Sequence, residues 1–439
     1  MQFRGYELYP FQAEAIEAVE GGSSVIVSAP TGAGKTIVAE YAIEQSIQRN
    51  RRVVYTSPIK ALSNQKYREF KERYGDKVGI MTGDVTINSD ALVMVMTTEI
   101  FRNTIFEDES RLHGIDWLIF DEVHYLGDPD RGSVWEESII FAPPNVRFIA
   151  LSATVGNLEE LQNWMSKVRE TKVEMVHTDE RPVPQHKLLF LEKDGIFEVK
   201  DLKENLGRAK DEHKEERKKK GKGRPNRHHQ PRGHDVVRLL VKDKKTPILY
   251  FCFSRKKCEQ LAQRYQRLPS LLTREEENTI GDKFDELVTK YSVADHPACK
   301  NMRHGVTRGI LYHHAGVLPI FKDVIERLFT TGLIKILFAT ETFALGVNMP
   351  ARCVIFDSLS KYNGIEVVPL RPLDYRQMAG RAGRQGIDEA GDVVAILNPS
   401  FDTPKGVREI LHRKPGDVVS QFLLGYSTTL HLIRLMGSD

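Results

Sequence analysis

Cysteine is scarce in this sequence, and its placement matches neither a disulfide framework nor a metal site. The chain has four cysteines in 439 residues, namely Cys252, Cys258, Cys299 and Cys353. They stand in apolar or isolated settings, without the paired spacing of metal ligands. Small extracellular domains that are stabilised by disulfides need a denser pattern. The sequence therefore indicates free, mostly buried thiols in a reducing compartment, and we expect a cytoplasmic protein.

Long apolar segments are absent as well. No apolar run approaches the roughly 20 residues that a membrane-spanning helix needs, and the N-terminus lacks the apolar core of a signal peptide. We therefore expect a soluble, intracellular chain with no membrane partner.

The chain also lacks a strong net charge. Its formal charge is +3, from 63 basic and 60 acidic residues, which is too small to identify a nucleic-acid partner by itself. The location of the charges is therefore more informative than their sum.

At 439 residues, of which 41% are hydrophobic and 28% charged, the chain is too long for one ordinary core. A prior of about 150 residues per domain predicts two or three domains.

The stretch Ala29–Thr36, with the sequence APTGAGKT, is the first motif that indicates chemistry. It follows the apolar run Val25–Val27 and precedes the helical pattern Ile37–Ile47, which is the strand–loop–helix context of a phosphate-binding loop. Glycines allow backbone N–H groups to turn toward an anion, and the helix N-terminus adds to the attraction. Ala29 stands where the general motif has glycine, so for the motif alone a turn without a ligand stays open as the alternative.

The loop predicts an ATP site with defined roles. Lys35 can reach the β- and γ-phosphates, and the hydroxyl of Thr36 can hold Mg²⁺. The candidate nucleotide ligands in the loop are Thr31, Gly32, Ala33, Gly34, Lys35 and Thr36.

The tetrad at 121–124, with the sequence DEVH, ends the apolar run Trp117–Phe120. A carboxylate at the carboxyl end of a parallel strand points into the crevice where ligands bind. Asp121 is therefore a candidate Mg²⁺ ligand, and Glu122 is a candidate base that orients and deprotonates the attacking water. Alone, the tetrad is typical of an acidic turn after a buried strand, but the upstream phosphate loop favours the catalytic interpretation.

A second charged motif lies at Gln377–Gly386, with the sequence QMAGRAGRQG. Arg381 and Arg384 are three residues apart and share a helix face, while the glycines leave room for close approach. Guanidinium groups aimed at a γ-phosphate from another domain are arginine fingers. A basic helix face without this role is the alternative.

Short apolar runs alternate with helical patterns along most of the chain, which predicts an α/β protein with two parallel-sheet domains in tandem. We expect a first domain at 1–180, a connector with a basic mobile loop at 181–235, a second domain at 236–403 and a further region at 404–439. The charged stretch at 266–305 predicts a helical insertion in the second domain.

The basic loop is defined by its composition. Residues 217–232 contain eight lysines or arginines and no acid, so they cannot bury a core. A solvated linker and a nucleic-acid-binding arm are both open.

Together the motifs form an ordered set that resembles superfamily-2 helicases of the DExH type. The set comprises the phosphate loop, the DEVH tetrad, Ser152–Thr154 and the QMAGRAGR segment. Four longer stretches resemble more narrowly the superkiller-type branch, which includes the helicases of the RNA exosome. They are Tyr55–Lys66, Gly132–Glu137, His313–Pro319 and Ala339–Pro350. The resemblance extends from about Tyr6 to the end of the chain, apart from the basic loop.

The resemblance implies two RecA-like domains, the start of a winged helix at 404–439, and an RNA helicase that depends on ATP and Mg²⁺. It implies loading on the single-stranded 3′ tail of an RNA beside a duplex, movement from 3′ to 5′, a monomeric core, and a ribonuclease as a candidate partner. A DNA-repair helicase of a related branch and a nucleotide-gated RNA clamp without strong unwinding are the alternatives. Because the family continues into a complete winged helix and a ratchet bundle, we expect either a fragment or a natural short form.

The resemblance also assigns roles to single residues. Gln12 would read the adenine edge, Tyr6 would stack on its ring, and Gly346 belongs to the nucleotide site. The implied catalytic residues are Lys35, Glu122, Gln377, Arg381 and Arg384, and the implied coupling residues are His124, Ser152 and Thr154. The implied RNA contacts are Thr56, Ser57, Pro58, Asn64, Gln65, Gly83, Asp84, Thr97, Thr98, Ser254, Arg255, Ala315, Gly316, Thr340 and Thr342. Taken singly, each RNA candidate is more typical of a turn or a cap.

The dipeptide Asn363-Gly364 predicts a β-hairpin between Lys361 and Leu370. In the family a strand-separating hairpin occupies this place. An ordinary surface hairpin is the alternative.

Overall fold

The apolar runs in the first part of the chain form the centre of one parallel sheet. The computed structural model describes residues 1–219, 233–346 and 349–436. The chain divides into unit 1, which comprises Met1–Arg181 and Lys414–Asp439, and unit 2, which comprises Pro182–Arg413. Most of the basic segment 217–232 lies outside the described residues, so a mobile loop there stays a prediction.

Unit 1 contains two sheets. Its strands are β1 (Gln2–Phe3), β2 (Tyr6–Glu7), β3 (Ser24–Ser28), β4 (Arg52–Ser57), β5 (Val78–Met81), β6 (Thr86–Ile87), β7 (Val93–Thr97), β8 (Ile115–Phe120), β9 (Arg147–Ser152) and β10 (Val173–His177). β1 and β2 pair as a separate antiparallel hairpin. The others form one sheet in the order β10-β3-β9-β8-β4-β7-β5-β6, and only the pair of β5 and β6 is antiparallel.

Helices connect these strands and cover both faces of the sheet. They are α1 (Pro10–Glu20), α2 (Thr36–Gln48), α3 (Lys60–Tyr74), α4 (Thr98–Glu107), α5 (Gly132–Ile140) and α6 (Leu158–Arg169). Successive residues of β3 point to opposite faces, because Val25 and Val27 belong to one buried cluster and Ile26 to another. A strand that is buried on both faces needs a continuous apolar run, which is why its sequence does not alternate.

The sheet order places three motifs side by side. The phosphate loop follows β3, the tetrad follows β8 and Ser152–Thr154 follows β9, and these three strands are neighbours. In a parallel sheet all their carboxyl ends lie at the same edge, where ligands bind.

Unit 2 repeats the same construction principle. Its strands are β11 (Gln185–Leu191), β12 (Gly195–Glu198), β13 (Ile248–Phe251), β14 (Ile310–His313), β15 (Ile336–Ala339), β16 (Cys353–Phe356), β17 (Ser360–Tyr362), β18 (Val367–Pro369) and β19 (Gly391–Ile396). The main sheet has the order β12-β11-β19-β16-β13-β15-β14 and is parallel except for β12. The predicted α/β class with two parallel sheets is therefore confirmed.

The helices of unit 2 include the predicted insertion. They are α7 (Leu202–Lys219), α8 (Gly233–Lys242), α9 (Arg255–Gln266), α10 (Arg274–Lys290), α11 (Pro297–Thr307), α12 (Pro319–Thr330), α13 (Glu341–Gly346), α14 (Pro372–Ala379) and α15 (Pro404–His412). α10 and α11 lie in the stretch predicted as a helical insertion. β17 and β18 form the predicted hairpin.

The predicted connector at 181–235 is wrong in its first part. Residues 185–219 form β11, β12 and α7 of unit 2, and Leu189, Phe190 and Leu191 are buried. β11 pairs with β19, whose residues lie about two hundred positions later in the sequence. A partner so distant leaves no local pattern, so composition alone could not indicate this strand.

The last described residues return to unit 1. After α15 the chain runs without regular structure from residue 413 and ends in α16 (Tyr426–Met436). The start of a winged helix in this region stays a prediction.

Tryptophan and cysteine are segregated between the units. Trp117, Trp135 and Trp164 are the three tryptophans, and all belong to unit 1. The four cysteines belong to unit 2, and all are buried and free, as predicted.

Candidate nucleotide site and nucleic-acid interface

The phosphate loop has the backbone conformation that its glycines permit. Gly32 has φ +82° and Gly34 has φ +86°, a left-handed region that is costly for other residues. Ala29 is fully buried in the core of unit 1 and its φ is not positive. The alanine at the first position of the motif is therefore compatible with the turn, because a glycine is not needed there.

Lys35 lies over the loop that it is predicted to serve. Its Nζ donates to the carbonyl oxygens of Ala29 at 2.7 Å and Pro30 at 3.1 Å. Thr36 follows at the first position of α2. An ammonium group, a hydroxyl and a helix N-terminus thus meet at one loop, and this donor set fits the phosphates and the metal of a bound ATP.

Gln12 is part of the same loop structure. Its Nε2 donates to the carbonyl of Gly34 at 3.0 Å, and its Oε1 accepts from the backbone N–H of Tyr9 at 3.0 Å. The side chain is 3% exposed. Its role toward adenine stays a prediction, as does that of Tyr6, which is 70% exposed on the β1–β2 hairpin.

Arg181 contacts the phosphate loop, and the sequence did not reveal this contact. One of its guanidinium nitrogens donates to the carbonyl of Thr31 at 2.8 Å. Arg181 is the last residue of the first segment of unit 1, and the chain continues into Pro182. The position of Arg181 directly before a proline-rich stretch is the signal in the sequence that could have indicated its role.

Asp121 is a buried carboxylate in an unusual environment. Its backbone N–H donates to the carbonyl of Thr56, and its Oδ2 accepts from the hydroxyl of Tyr55 at 2.6 Å. Burial and the neighbouring charge of Glu122 raise the pKa of Asp121 to about 6, although Lys66, Tyr55 and Lys35 oppose this rise. The group is still mostly ionised at neutral pH, so it can serve as an oxygen ligand of Mg²⁺.

Lys66 is a second residue that the sequence did not reveal. It is 3% exposed, and its Nζ donates to Glu69 Oε2 at 2.8 Å. Burial lowers the pKa of Lys66, but the charges of Glu69 and Asp121 outweigh burial and the pKa is raised. This buried cation therefore keeps part of the negative charge at the tetrad compensated.

Glu122 holds a strained backbone conformation. Its φ of +59° and ψ of +44° are left-handed, and such a conformation costs a non-glycine residue about 1–3 kcal/mol. A short 3₁₀ turn, Val123–Gly127, follows it. This left-handed conformation turns the chain sharply between Asp121, the candidate metal ligand, and the rest of the tetrad. It places Glu122, the candidate base, at the bend.

His124 connects the tetrad with the segment Ser152–Thr154. Its Nδ1 accepts from the backbone N–H of Ala153 at 3.2 Å, so this nitrogen carries no proton. Burial, with a smaller effect from the charge of Lys35, lowers the pKa of His124 to about 3. The approach of Nδ1 to Glu122 Oε2 at 3.4 Å is therefore not an ion pair. The contact agrees with the predicted coupling residues, although coupling itself stays a prediction.

The RNA candidates of unit 1 fall into a buried and an exposed group. The buried residues are Thr56, Ser57, Pro58, Gln65, Thr97 and Thr98, and the exposed residues are Asn64, Gly83 and Asp84. The hydroxyl of Thr56 donates to the carbonyl of Ile119 at 3.1 Å and the residue is 0% exposed. The hydroxyl of Thr56 is therefore engaged inside unit 1, and its contact with RNA stays a prediction.

Other members of the group are also held inside the unit. The hydroxyl of Ser57 lies 2.6 Å from that of Ser63, and the hydroxyl of Thr98 donates to the carbonyl of Ser57 at 3.3 Å. Exposed Asp84 accepts from Lys60 at 2.7 Å. The RNA contacts of all these residues on unit 1 stay predictions.

The RNA candidates of unit 2 are mostly exposed. Ser254 and Arg255 begin α9, and Ala315, Gly316 and Thr342 are exposed. Thr340 is 9% exposed and its hydroxyl lies 3.0 Å from that of Thr342.

His314 holds the loop of Ala315 and Gly316 in place. Its Nδ1 accepts from the N–H of Gly316 at 3.1 Å, and its Nε2 lies 2.9 Å from Glu259 Oε1. Because Nδ1 is the acceptor, Nε2 carries the proton and donates to the carboxylate. The sequence motif His313–Pro319 indicated this loop but not the role of its second histidine.

The predicted helix face shared by Arg381 and Arg384 is wrong, because α14 ends before both residues and they lie in the irregular segment that follows it. The two candidate finger arginines also differ in their surroundings. Arg381 is 8% exposed, and Gln377 on α14 is 7% exposed. Arg384 forms a two-point ion pair with Asp388, in which Nε lies 2.9 Å from Oδ2 and Nη2 lies 2.8 Å from Oδ1. Burial alone would raise the pKa of Asp388, but Arg384 and Arg352 outweigh it and the pKa is lowered. The sequence predicted the arginine but not its acidic partner.

The remaining candidates lie on short elements of unit 2. Gly346 ends α13. The hairpin of β17 and β18 carries exposed apolar residues, with Tyr362 62%, Ile365 87% and Val367 60% exposed. Strand separation by this hairpin stays a prediction.

Comparison with protein families gives two matches along the chain. The DEAD/DEAH box helicase model matches residues 9–161, and the helicase conserved C-terminal domain model matches residues 286–386. Together they cover more than half of the sequence. The chain belongs to the DEAD/DEAH-box helicase family.

Curated relatives extend the similarity of this helicase over nearly its whole length. It is 41% identical to the DExH-box ATP-dependent RNA helicase DExH9 of Arabidopsis thaliana, over 99% of this chain and 45% of the relative. It is 40% identical to the exosome RNA helicase MTR4 of Mus musculus, over 97% of this chain and 42% of the relative. It is 39% identical to the probable helicase HelY of Mycobacterium leprae, over 99% of this chain and 50% of the relative. The helicase chain thus spans at most half the length of these relatives.

The two family matches include the motif residues of both units but not the C-terminal region. The first contains the phosphate loop, the tetrad and Ser152–Thr154, and the second contains His313–Pro319 and both arginines. Residues 387–439 of the helicase lie beyond both matches. In the part of the chain that the structure describes, no helix is long and apolar enough to cross a membrane.

Proposed function

We propose that this chain is the core of an ATP-dependent RNA helicase that couples ATP hydrolysis to 3′-to-5′ movement along RNA. The observation that carries the proposal is the position of the phosphate loop, the tetrad and Ser152–Thr154 at the carboxyl ends of three adjacent strands. The names of the plant and mouse relatives, both RNA helicases, support RNA over DNA.

The residues of unit 1 would bind ATP and activate water. The N–H groups of the loop and the ammonium of Lys35 would hold the phosphates, while Thr36 and Asp121 would hold Mg²⁺, which supplies positive charge beside the phosphates. Glu122 would accept a proton from the water that attacks the γ-phosphorus, as ADP leaves. His124 would transmit the state of this site to Ser152–Thr154 through its bond with Ala153.

The arginines of unit 2 would act on the transition state. Arg381 and Arg384 would stabilise the charge on the transferred phosphoryl group. Arg384 would have to exchange the carboxylate of Asp388 for phosphate oxygens, and both groups can accept two parallel N–H bonds from a guanidinium. Gln377 completes the catalytic set in this proposal.

The finer assignments rest on the family. We propose a single-stranded 3′ tail with an adjacent duplex as the substrate, a ribonuclease as a partner, a monomeric core and a cytoplasmic location. The printed name of the mouse relative, an exosome RNA helicase, supports a nuclease partner.

The proposal is tested by comparing the stimulation of ATP hydrolysis by RNA and by DNA of the same sequence. We expect RNA to stimulate hydrolysis and DNA to have little effect, and we expect Lys35→Ala to abolish hydrolysis because the phosphates lose their main cation. Equal stimulation by DNA would indicate a DNA helicase.

A strand-displacement assay tests unwinding itself. A duplex with a single-stranded 3′ tail should be displaced in the presence of ATP, and one with a 5′ tail should not. RNA-stimulated hydrolysis without displacement would indicate a nucleotide-gated clamp.

A further inference from the structure

Residues 414–436, called the C-terminal strap below, run along the elements of unit 1 that follow the site motifs. The N–H of Gly156 donates to the carbonyl of Gly416 at 3.0 Å. Asn157 makes a two-point contact with Val418, donating from Nδ2 to its carbonyl at 3.0 Å and accepting its N–H at Oδ1 at 2.8 Å. These two residues come directly after Ser152–Thr154, so the strap is attached to the loop that contacts His124.

The strap also packs on the turn that follows Glu122. Val418 packs against the buried cluster that contains Val123 and Leu126. A Cβ added at Gly127 would lie 3.4 Å from the Cα of Val418, and one added at Gly156 would lie 2.3 Å from a side-chain oxygen of Asp417. The strap therefore lies in van der Waals contact with this turn, and at Gly156 it leaves too little room for a side chain.

Two buried carboxylates of α5 bind the strap. Glu136 is 3% exposed, and it accepts from the hydroxyl of Ser420 at 2.7 Å and the N–H of Gln421 at 2.6 Å. Glu137, also 3% exposed, accepts from the hydroxyl of Thr428 and from Arg102 at 2.8 Å. Buried carboxylates need such donors. In the part of the chain that the structure describes, the carboxylate of Glu136 is bound by donors of the strap alone.

The strap also reaches α4, the helix that begins after Thr97. The ring of His431 stacks on Phe106 with centroids 4.3 Å apart, and Arg434 donates to the carbonyl of Phe106 at 3.4 Å. A tail that only adds stability could pack anywhere on unit 1. This one contacts the turn of the tetrad, the loop after Ser152–Thr154, and two helices that begin beside site motifs.

We propose that the C-terminal strap holds the strained turn at Glu122 and the loop after Ser152–Thr154 in their hydrolysis-competent geometry, with Asn157 and Glu136 as positioning residues. A left-handed residue other than glycine persists only where its surroundings determine it, and the strap supplies part of those surroundings. The proposal rests on the ATP hydrolysis proposed above. A passive tail, which would stabilise unit 1 without affecting the turn, is the alternative.

Hydrogen exchange measured by mass spectrometry tests the strap without depending on activity. In the full chain, Asn157→Ala and Glu136→Gln should each raise amide exchange in residues 414–422 and, together with it, in residues 121–127 and 152–156, by roughly tenfold or more. Asn163→Ala and Glu159→Gln are matched controls, because both residues are exposed on α6 and are not among the residues that bind the strap. We expect the controls to match the parent.

Kinetics provide the second readout. In both strap variants the turnover number for ATP should fall by about tenfold to a hundredfold, as expected for a small misplacement of a catalytic group, while ATP affinity and the thermal midpoint stay close to those of the controls. Faster exchange in 414–422 with unchanged exchange in 121–127 would overturn the proposal, as would unchanged exchange in both. If the parent chain hydrolyses no ATP, the proposed function fails, but the exchange result still decides on the strap.

Discussion

Asp121 in unit 1 is a candidate site residue and Asp388 in unit 2 is the partner of another, Arg384, and the charges of the two carboxylates are compensated in different ways. Asp121 is 8% exposed and accepts a hydrogen bond from the neutral hydroxyl of Tyr55. Burial and Glu122 raise its pKa to about 6. Asp388 is bound at two points by the guanidinium of Arg384, and its pKa is lowered despite burial.

The difference shows which of the two charges is available to a ligand. The charge of the Asp121 carboxylate is only partly balanced, so a divalent cation placed there is attracted by the part that remains. The charge of Asp388 is already used by Arg384, so a phosphate that recruits this arginine must compete with an existing ion pair. Under the proposed function, Asp121 would therefore be available to Mg²⁺ without losing a charged partner, whereas Arg384 would have to change partners.

Replacing Glu122, the acid next to Asp121, should have the largest effect on turnover. Glu122→Gln keeps the size of the side chain but loses the base, so turnover should fall by about 10²–10⁴ while ATP and RNA binding stay intact. Single-turnover hydrolysis and binding of a fluorescent ATP analogue measure the two quantities, with Glu159→Gln as the control. A loss below about tenfold would remove Glu122 from this role.

The second prediction concerns the two arginines of unit 2 and is tested with Arg384→Ala and Arg381→Ala. Each should reduce turnover by at least about a hundredfold with a modest loss of ATP affinity, because finger arginines act mainly on the transition state. Asp388→Asn is the informative companion, since it removes the ion pair but keeps Arg384. Equal losses of affinity and rate in the arginine variants would make them ground-state ligands instead.

A smaller effect is expected when only the neutral partner of Asp121 is removed. The hydroxyl of Tyr55 favours the ionised form of Asp121, so Tyr55→Phe should raise its pKa further. Activity that needs the ionised form is then lost at a higher pH on the acid side, so kcat/KM should fall near pH 6 and stay unchanged near pH 8. Tyr41→Phe, which removes a hydroxyl bonded to Glu20, is the control, and superimposable pH profiles would contradict the assignment.

The smallest effect on hydrolysis should come from the basic segment 217–232, whose sequence contains none of the candidate nucleotide-site residues. Replacing residues 217–232 with a Gly/Ser linker of equal length should weaken RNA binding equally for all sequences. It should also flatten the dependence of log affinity on log salt by roughly 0.7 per lost single-strand phosphate contact. Hydrolysis at saturating RNA should barely change. An identical salt slope, measured by fluorescence anisotropy, would indicate a passive tether.

The sequence predicted the parts of this helicase whose chemistry is local. The loop at 29–36, the tetrad and the arginines are short stretches in which spacing alone defines a role, and the strands beside them are continuous apolar runs. Tyr55 and Lys66 act on Asp121, and Arg181 on the phosphate loop. These partners are distant in sequence, so local patterns marked the positions but not the contacts.

The same limit explains the error in the fold. β11 was not predicted, because its place in the sheet depends on β19 near the far end of unit 2. Packing likewise explains why the sequence did not reveal the bond of Thr56: the family motif marks a strand end, but only the packing decides whether a hydroxyl faces outward or, as here, the carbonyl of Ile119.

The separation of tryptophan and cysteine makes the two units distinguishable by their own spectroscopic and chemical reporters. Trp117 and Trp135 are 2% and 1% exposed, so intrinsic fluorescence reports the unfolding of unit 1 without any contribution from tryptophan in unit 2. The buried thiols of Cys252, Cys258, Cys299 and Cys353 become reactive only when unit 2 opens. A denaturant titration followed by emission and by thiol labelling would therefore measure whether one unit can unfold while the other stays folded, in the unmodified chain.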